Sequence, residues 1–235
     1  MPPQALLRVH DLHIELAGDR EILSGASLEI QPGAIVGLFG DSGCGKSTLA
    51  LALLGLLPPA KYRIRGEILL RGQNLLAMTE REFAAVRGAQ ISIIFQDPLL
   101  ALNPVLRVRT QLTEILQSHG VASDPAALLA LAGLSDPGHI LPAYPHQLSG
   151  GERQRVTIAQ ALACRPPLVI ADEPFTALDG PRVLELVALF RRLRADCGTS
   201  FLLISHSPGV LAAAADEIFR LHDGRLEPTG APHAR

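Results

Sequence analysis

The stretch Gly40-Asp41-Ser42-Gly43-Cys44-Gly45-Lys46-Ser47-Thr48 decides the fold of this 235-residue chain. It satisfies G-x-x-x-x-G-K-[ST] and stands between an apolar run, 34–39, and a helix-like stretch, 47–57. Glycines let such a loop curl until its backbone N–H groups face inward, and the dipole of the following helix adds positive charge for binding phosphate oxygens. Lys46 supplies a point charge for the β- and γ-phosphates of a nucleotide, and the Ser47 hydroxyl is a candidate ligand of Mg²⁺. The sequence therefore predicts that residues 40–48 form a phosphate-binding loop.

Apolar runs on both sides of this loop predict an α/β core. Continuous apolar runs are typical of strands buried on both faces of a parallel sheet, and helix-like stretches lie between or after them. Shorter segments near the start of the chain, separated by glycine-containing turns, predict an antiparallel sheet. The predicted parallel strands are 34–39, 91–95, 168–171 and 201–204, the helices 47–57, 153–163 and 182–195, and the antiparallel strands 6–16, 26–30 and 67–70.

Strand signals fade between residues 97 and 149, where the stretches 111–118 and 125–131 look helical. Proline and glycine mark the joins between these stretches. We therefore expect one domain across residues 1–235, with a helical subdomain at approximately 97–157 inserted into the α/β core.

Composition excludes several classes of protein. The chain is 48% hydrophobic and 19% charged, with Lys+Arg 21 against Asp+Glu 23, so it can bury a core but has no basic excess for a nucleic-acid backbone. Three cysteines at wide spacings fit neither a disulfide framework nor paired zinc ligands and favour a reducing cytosol. No signal-peptide pattern opens the chain, and its longest apolar run, 49–59, is shorter than the roughly 20 residues that cross a bilayer.

Two acids, Asp172 and Glu173, end the apolar run 168–171. A strand end beside a phosphate-binding loop is where Mg²⁺ needs an anionic ligand, and we assign that role to Asp172. Because side chains alternate along a strand, Glu173 is expected on the opposite face, where it can act as the general base on the attacking water. The loop and the acidic strand end together predict a P-loop NTPase with a RecA-like core.

A further motif, Leu148-Ser149-Gly150-Gly151-Glu152-Arg153-Gln154-Arg155, precedes the acidic strand. It resembles the signature motif of the ATP-binding cassette (ABC) family, and the resemblance covers essentially the whole chain. A serine hydroxyl and two glycines that open a helix make a second anion-binding site. The resemblance implies an ATPase that binds ATP and Mg²⁺, with each nucleotide held between one chain's phosphate-binding loop and the partner's signature, so a dimer is implied.

Three more landmarks stand in the order found in that family. They are Gln96 after the run 91–95, Asp179 after the acidic pair, and His206 after the run 201–204. The resemblance implies that Gln96 contacts Mg²⁺ and the attacking water, that Asp179 lies in a loop crossing the dimer interface, and that His206 touches the γ-phosphate. Catalysis is thus assigned to Glu173 and His206 together with Gln96 and Lys46.

The segment 95–104, FQDPLLALNP, is similar to the one in importers of the dipeptide, oligopeptide and nickel group. The segments 144–147 and 66–70 also resemble that group. The resemblance implies an ATPase on the cytoplasmic face of the membrane, bound to two permeases and a second ATPase subunit and served indirectly by an external solute-binding protein. It implies uptake of peptides or of nickel and metal chelates, with the helical insert as the docking surface.

Two other functions stay open. One is a soluble ABC ATPase that clamps a nucleic acid or ribosome, against which the lack of a basic excess counts; the other is a nearly inactive regulatory subunit. Leu16 is aliphatic where the family usually stacks an aromatic residue on adenine, and this difference keeps the regulatory-subunit alternative open. His10 and His13 are three apart in a probable strand, so we expect them on opposite faces and without a shared metal.

Overall fold

Two sheets with helices around them make up the computed structural model, which describes residues 4–18 and 20–229. The antiparallel sheet has the order β2-β1-β4-β5, with strands β1 (Leu7–Leu16), β2 (Arg20–Ile30), β4 (Tyr62–Leu70) and β5 (Gln73–Asn74). The larger sheet has the order β10-β9-β3-β8-β7-β6, with strands β3 (Ile35–Phe39), β6 (Ile91–Ile94), β7 (Leu168–Asp172), β8 (Ser200–Ile204), β9 (Glu217–His222) and β10 (Arg225–Pro228).

The larger sheet is parallel except for β10, which pairs antiparallel with β9. Strands β7 and β8 are buried along their whole length, as their continuous apolar sequences predict. The α/β class and the four predicted parallel strands are therefore confirmed. Strands β9 and β10 are additions that the apolar runs did not predict.

Helices occupy both sides of this sheet and fill the span between β6 and β7. They are α1 (Lys46–Leu53), α2 (Glu80–Val86), α3 (Pro98–Ala101), α4 (Val108–Ser118), α5 (Pro125–Leu131), α6 (Pro137–Ile140), α7 (Gly150–Ala161), α8 (Gly180–Cys197) and α9 (Pro208–Ala214). Helix α1 ends earlier than predicted, and a positive φ of 59° at Gly55 follows it. A Cβ at Gly55 would lie 2.7 Å from the Phe83 ring, so only glycine fits this turn without a shift.

The parallel strands alternate their side chains between two apolar cores. Val169 and Ala171 of β7 pack on the side of α8, α9 and the helices that follow β6. Leu168 and Ile170 pack on the other side, with α1 and the antiparallel sheet. Burial on both faces holds the sheet rigidly, so the loops at the carboxyl ends of its strands start from fixed points.

The helices between β6 and β7 run from α3 to α7, and α7 continues to Ala161, beyond the predicted end of the helical insert at 157. The division of the chain into a core and an inserted subdomain stays a prediction. In the part of the chain that the structure describes, no helix has the length and apolarity needed to cross a membrane.

A bulge in β1 overturns one prediction made from strand periodicity. Asp11 has a positive φ of 46°, and the pairing of β1 with β4 shifts register between His10 and His13. The extra residue puts both histidines on the face opposite the buried Leu12, so the expectation of opposite faces was wrong. His13 instead lies between the carboxylates of Asp11 and Glu21, at 3.2 and 3.1 Å.

Candidate active site

The predicted phosphate-binding loop joins β3 to α1 at the carboxyl edge of the parallel sheet. Gly43 and Gly45 have φ of 79° and 111°, which favour glycine. A Cβ at Gly40 would lie 2.4 Å from the carbonyl oxygen of Leu221, so the first glycine is required by close packing. The buried Lys46 ammonium donates hydrogen bonds to the carbonyl oxygens of Gly40 at 2.9 Å and Asp41 at 3.0 Å. The loop is thus curled around the lysine head group, with Ser47 exposed beside it.

Asp172 ends β7 with its carboxylate buried, and it is 8% exposed. Burial raises the pKa of Asp172, while a hydrogen bond with the Ser47 side chain acts in the opposite direction. Its Oδ1 atom has no hydrogen-bond partner among the described residues. A buried carboxylate oxygen left unpaired beside a hydroxyl is an arrangement that a hard cation satisfies, since Mg²⁺ prefers oxygen ligands. The predicted pair Ser47 and Asp172 therefore fits a Mg²⁺ site.

Glu173 lies at the same edge, but not for the reason that strand alternation gives. Strand β7 has already ended, and Glu173 has a positive φ of 50° that turns its side chain away from the strand. Its backbone N–H donates to the carbonyl oxygen of Ile204 at 2.9 Å. Its Oε2 atom lies 2.8 Å from Nδ1 of His206 and 3.3 Å from the Thr176 hydroxyl. The structure thus brings together Glu173 and His206, which are 33 positions apart in the sequence.

Gln96 follows β6 and is exposed. It lines a cavity of about 450 Å³ with Gly150, Gly151 and other residues of the signature side. Within residues 4–18 and 20–229, no hydrogen bond joins Gln96 to Asp172 or Ser47. The role of Gln96 as a third metal ligand therefore stays a prediction.

The signature residues cap helix α7 in the single chain. The Ser149 hydroxyl lies 2.7 Å from Oε2 of Glu152, and the same carboxylate oxygen accepts the Ser149 backbone N–H at 2.8 Å. The Ser149 hydroxyl holds the pKa of Glu152 below its usual range. A Cβ at Gly150 or Gly151 would meet no atom within 4 Å, so neither glycine is required by packing inside this chain.

Asp179 caps the next long helix in a similar way. Its Oδ1 accepts the backbone N–H of Arg182 at 3.0 Å at the start of α8. The preceding Ala177 has a positive φ of 61°, so the loop between Glu173 and α8 turns sharply. Both the signature and this loop line the 450 Å³ cavity, which contains no residue of the phosphate-binding loop.

A second cavity, of about 420 Å³, adjoins the phosphate-binding loop. Leu16 and Ile22 of the antiparallel sheet line it, together with Thr48 at the start of α1. The turn 222–224 between β9 and β10 forms the rest of the wall, and it was missed in the sequence. The Asp223-Gly224 pair flanked by alternating apolar residues is a hairpin signal that could have found it.

Comparisons with known proteins agree with this arrangement. Residues 23–176 match the family described as "ABC transporter". The chain is 40% identical over 237 residues to the dipeptide transport ATP-binding protein DppD of Bacillus subtilis, covering 97% of this chain and 71% of that protein. The oligopeptide transport ATP-binding protein OppD of Salmonella typhimurium is 39% identical over 238 residues, with the same two coverages.

Solved structures share the fold. The dimeric ATP-binding cassette MJ0796 bound to ADP and Pi has a TM-score of 0.82 and 25% identity, covering 97% of this chain and all of that one. The cbiO1 subunit from Clostridium perfringens has a TM-score of 0.81 and 26% identity, covering 97% of this chain and 89% of that one. This chain therefore belongs to the ABC transporter family, as one of its ATPases.

Proposed function

We propose that this chain drives an importer for peptides or for nickel and metal chelates by binding and hydrolysing ATP at an interface with a second ATPase subunit. One observation carries the catalytic part. Glu173, held by His206 at 2.8 Å, lies at the same edge of the sheet as the loop around Lys46. Strands β3, β8 and β7 are neighbours in the sheet, so their carboxyl ends bring these groups to one place.

The loop residues bind the nucleotide. Lys46 exchanges its two carbonyl contacts for phosphate oxygens, and the inward N–H groups of residues 40–48 surround the same phosphates. Because the ammonium is already buried at the centre of the loop, little side-chain ordering remains to be done when ATP binds.

The acidic and imidazole groups act on water. Glu173 accepts a proton from the attacking water, and His206 fixes the direction of that carboxylate through its Nδ1 contact. Thr176 adds a second contact to the same oxygen. We assign orientation of the water also to Gln96, which would have to approach when the dimer closes.

Ser47 and Asp172 would hold Mg²⁺, with Gln96 as the third predicted ligand. Bound there, the ion would neutralise charge on the β- and γ-phosphates. The unpaired Oδ1 atom of Asp172 supports this assignment.

We assign the signature, Ser149 to Glu152, and Asp179 to the surface that meets the second ATPase subunit, which is a copy of this chain or a related one. The signature and the phosphate-binding loop line separate cavities, which supports completion of each nucleotide site by the partner's signature. The dimeric cassette MJ0796 supports an arrangement of two chains.

We place this subunit at the cytoplasmic face of the membrane, bound to two permeases and served by an external solute-binding protein. The names of its peptide-transport relatives and the sequence 95–104 support that placement. Exposed Leu99, Leu100 and Val105 at the start of the predicted helical subdomain, 97–157, support its assignment as the permease contact.

Glu173→Gln tests the proposal. It should lower the ATPase rate by about 10²- to 10⁴-fold, the usual contribution of a general base, while the affinity for ATP stays unchanged. Lys46→Ala should instead weaken ATP binding itself, because the phosphate charge loses its partner. Glu114→Gln, an exposed carboxylate on α4, is the matched control. A wild-type rate in the Glu173 variant would remove that residue from the role of base.

Partner capture tests the transport assignment. The Glu173→Gln variant, incubated with ATP and solubilised membranes, should copurify with two permease subunits. Copurification with ribosomes or DNA and without any membrane protein would overturn the importer in favour of a soluble clamp.

A further inference from the structure

The 420 Å³ cavity beside the phosphate-binding loop has the position and size to take the base of a nucleotide. It includes Asp41, Ser42 and Thr48, and it extends from the loop toward the antiparallel sheet. Its volume lies within the roughly 300–1,000 Å³ that small-ligand pockets occupy. A nucleotide whose phosphates surround Lys46 therefore has room for its base here.

The walls that come from β1 and β2 hold two aliphatic side chains, Leu16 and Ile22, beside the exposed charged residues Arg20 and Glu21. Leu16 and Ile22 are half-buried and line the cavity. Ile22 also packs against the loop, since a Cβ at Gly45 would lie 2.9 Å from its Cγ2 atom. Aliphatic side chains offer a base dispersion contacts but no π-face for stacking.

His222 carries the one ring among the described residues that line this cavity. It ends β9, whose buried Leu221 points to the core, so the imidazole projects to the other face. Its side chain is 47% exposed, and Nε2 lies 3.4 Å from Oδ2 of Asp223. Across the described ranges 4–18 and 20–229, no aromatic ring or arginine stacks on this imidazole.

The position of His222 relative to the phosphate-binding loop is fixed from three sides. Arg220, two residues earlier, pairs with Phe39 at the end of β3, so His222 is level with the start of the loop. The carbonyl oxygen of Leu221 packs against Gly40, where a Cβ would lie 2.4 Å away. On the other side, the N–H of Ser24 donates to the carbonyl oxygen of Gly224 at 2.8 Å.

We propose that His222 stacks on the nucleobase of ATP and so supplies the aromatic surface that Leu16 lacks. This inference rests on the proposed nucleotide site, because it requires the phosphates to be bound at residues 40–48. The ring is attached to the parallel sheet through β9, whereas Leu16 and Ile22 belong to the antiparallel sheet. The base is thereby held between the two sheets.

The test compares ADP, which this ATPase does not hydrolyse, with pyrophosphate, which has the same phosphates and no base. Isothermal titration calorimetry on the full chain should show that His222→Ala weakens ADP binding by about tenfold, the scale of one lost base–aromatic contact, and leaves pyrophosphate binding unchanged. His222→Phe should restore ADP affinity to within about twofold, because it returns a ring. His10→Ala removes an exposed histidine from β1 outside this cavity and should change neither affinity.

Failure of the stacking contact and failure of the nucleotide site give different results in this test. Unchanged ADP affinity in His222→Ala, or equal weakening of ADP and pyrophosphate, would overturn the stacking contact while the proposed nucleotide site stands. Binding of neither ligand by the wild-type chain would overturn the nucleotide site and this inference together.

Discussion

Asp172 is the residue at which folding and function conflict. Its carboxylate is buried, its Oδ1 atom has no partner among the described residues, and burial raises its pKa. Leaving a buried polar atom unpaired costs about 1–3 kcal/mol of folding free energy. At the proposed Mg²⁺ site the same unpaired oxygen would bind the cation, so we infer that stability in the empty state is exchanged for affinity in the loaded one.

Asp172→Asn should therefore stabilise the nucleotide-free chain while it removes ATPase activity. We expect a gain of about 1 kcal/mol at neutral pH, because the amide keeps the size of the side chain and removes the buried charge. The sign follows from the raised pKa of Asp172. The ionised form costs stability above the folded-state pKa, and the folded and unfolded states are both protonated below the ordinary aspartate pKa of 3.8. The gain should shrink as the pH falls toward 3.8.

Thermal unfolding from pH 7 downward measures this effect, with the exposed Asp196→Asn on α8 as control. With Mg²⁺ and ADP present, the wild type should melt at a higher temperature than Asp172→Asn, because only the wild-type chain offers the carboxylate to the ion. If Asp172→Asn melts at a lower temperature than the wild type at pH 7 without ligand, the buried carboxylate does not destabilise the empty chain.

At the scale of the element, the same capping box begins two helices, α2 and α7, and we assign a further role to the second. At α2, Thr79 and Glu82 form a capping box, with Thr79 Oγ1 2.7 Å from Glu82 Oε2. At α7, Ser149 and Glu152 form the same box with the same 2.7 Å contact. The first box only starts a helix, whereas we assign the second to the surface that meets the partner's nucleotide.

Paired cap variants separate these purposes. Thr79→Ala and Ser149→Ala should each cost about 1 kcal/mol of folding free energy in urea unfolding, since each removes one cap. Only Ser149→Ala should also lower the ATPase rate, because its hydroxyl is needed at the interface. Glu152→Gln should keep the stability, as glutamine completes the box equally well. Equal loss of activity in the Thr79 and Ser149 variants would mean that both act through folding alone.

Elements with a strong local sequence signal could be predicted. Features that depend on how distant segments pair with each other could not. The phosphate-binding loop and strands β7 and β8 follow from glycine spacing and apolar runs. The bulge at Asp11 has no such signal, because it depends on the register between β1 and β4. Likewise, the positive φ at Glu173 accompanies a tertiary hydrogen bond to Ile204 that has no local sequence signal, so alternation gave the wrong reason for its placement.

At the scale of the whole molecule, the two proposed anion-binding sites differ in what their glycines do for the fold. In the loop around Lys46, close packing at Gly40 and Gly45 and the positive φ at Gly43 make the glycines necessary for the fold. Gly151 in the signature is different, because a Cβ there meets nothing within 4 Å in this chain. In the proposed signature surface, this open space leaves room for the partner's nucleotide to approach the start of α7 closely.

Gly151→Ala should therefore leave folding intact and weaken dimer formation. Alanine in a helix favours folding by up to about 1 kcal/mol over glycine, so the unfolding midpoint should stay or rise. In the Glu173→Gln background with ATP, sedimentation should show two 25.0 kDa chains associating, and Gly151→Ala should weaken that association by about tenfold or more as its methyl group meets the partner's nucleotide. Gly209→Ala, also near a helix start with open space, is the matched control and should associate normally. Full-strength association in the Gly151 variant would remove the signature from the dimer interface.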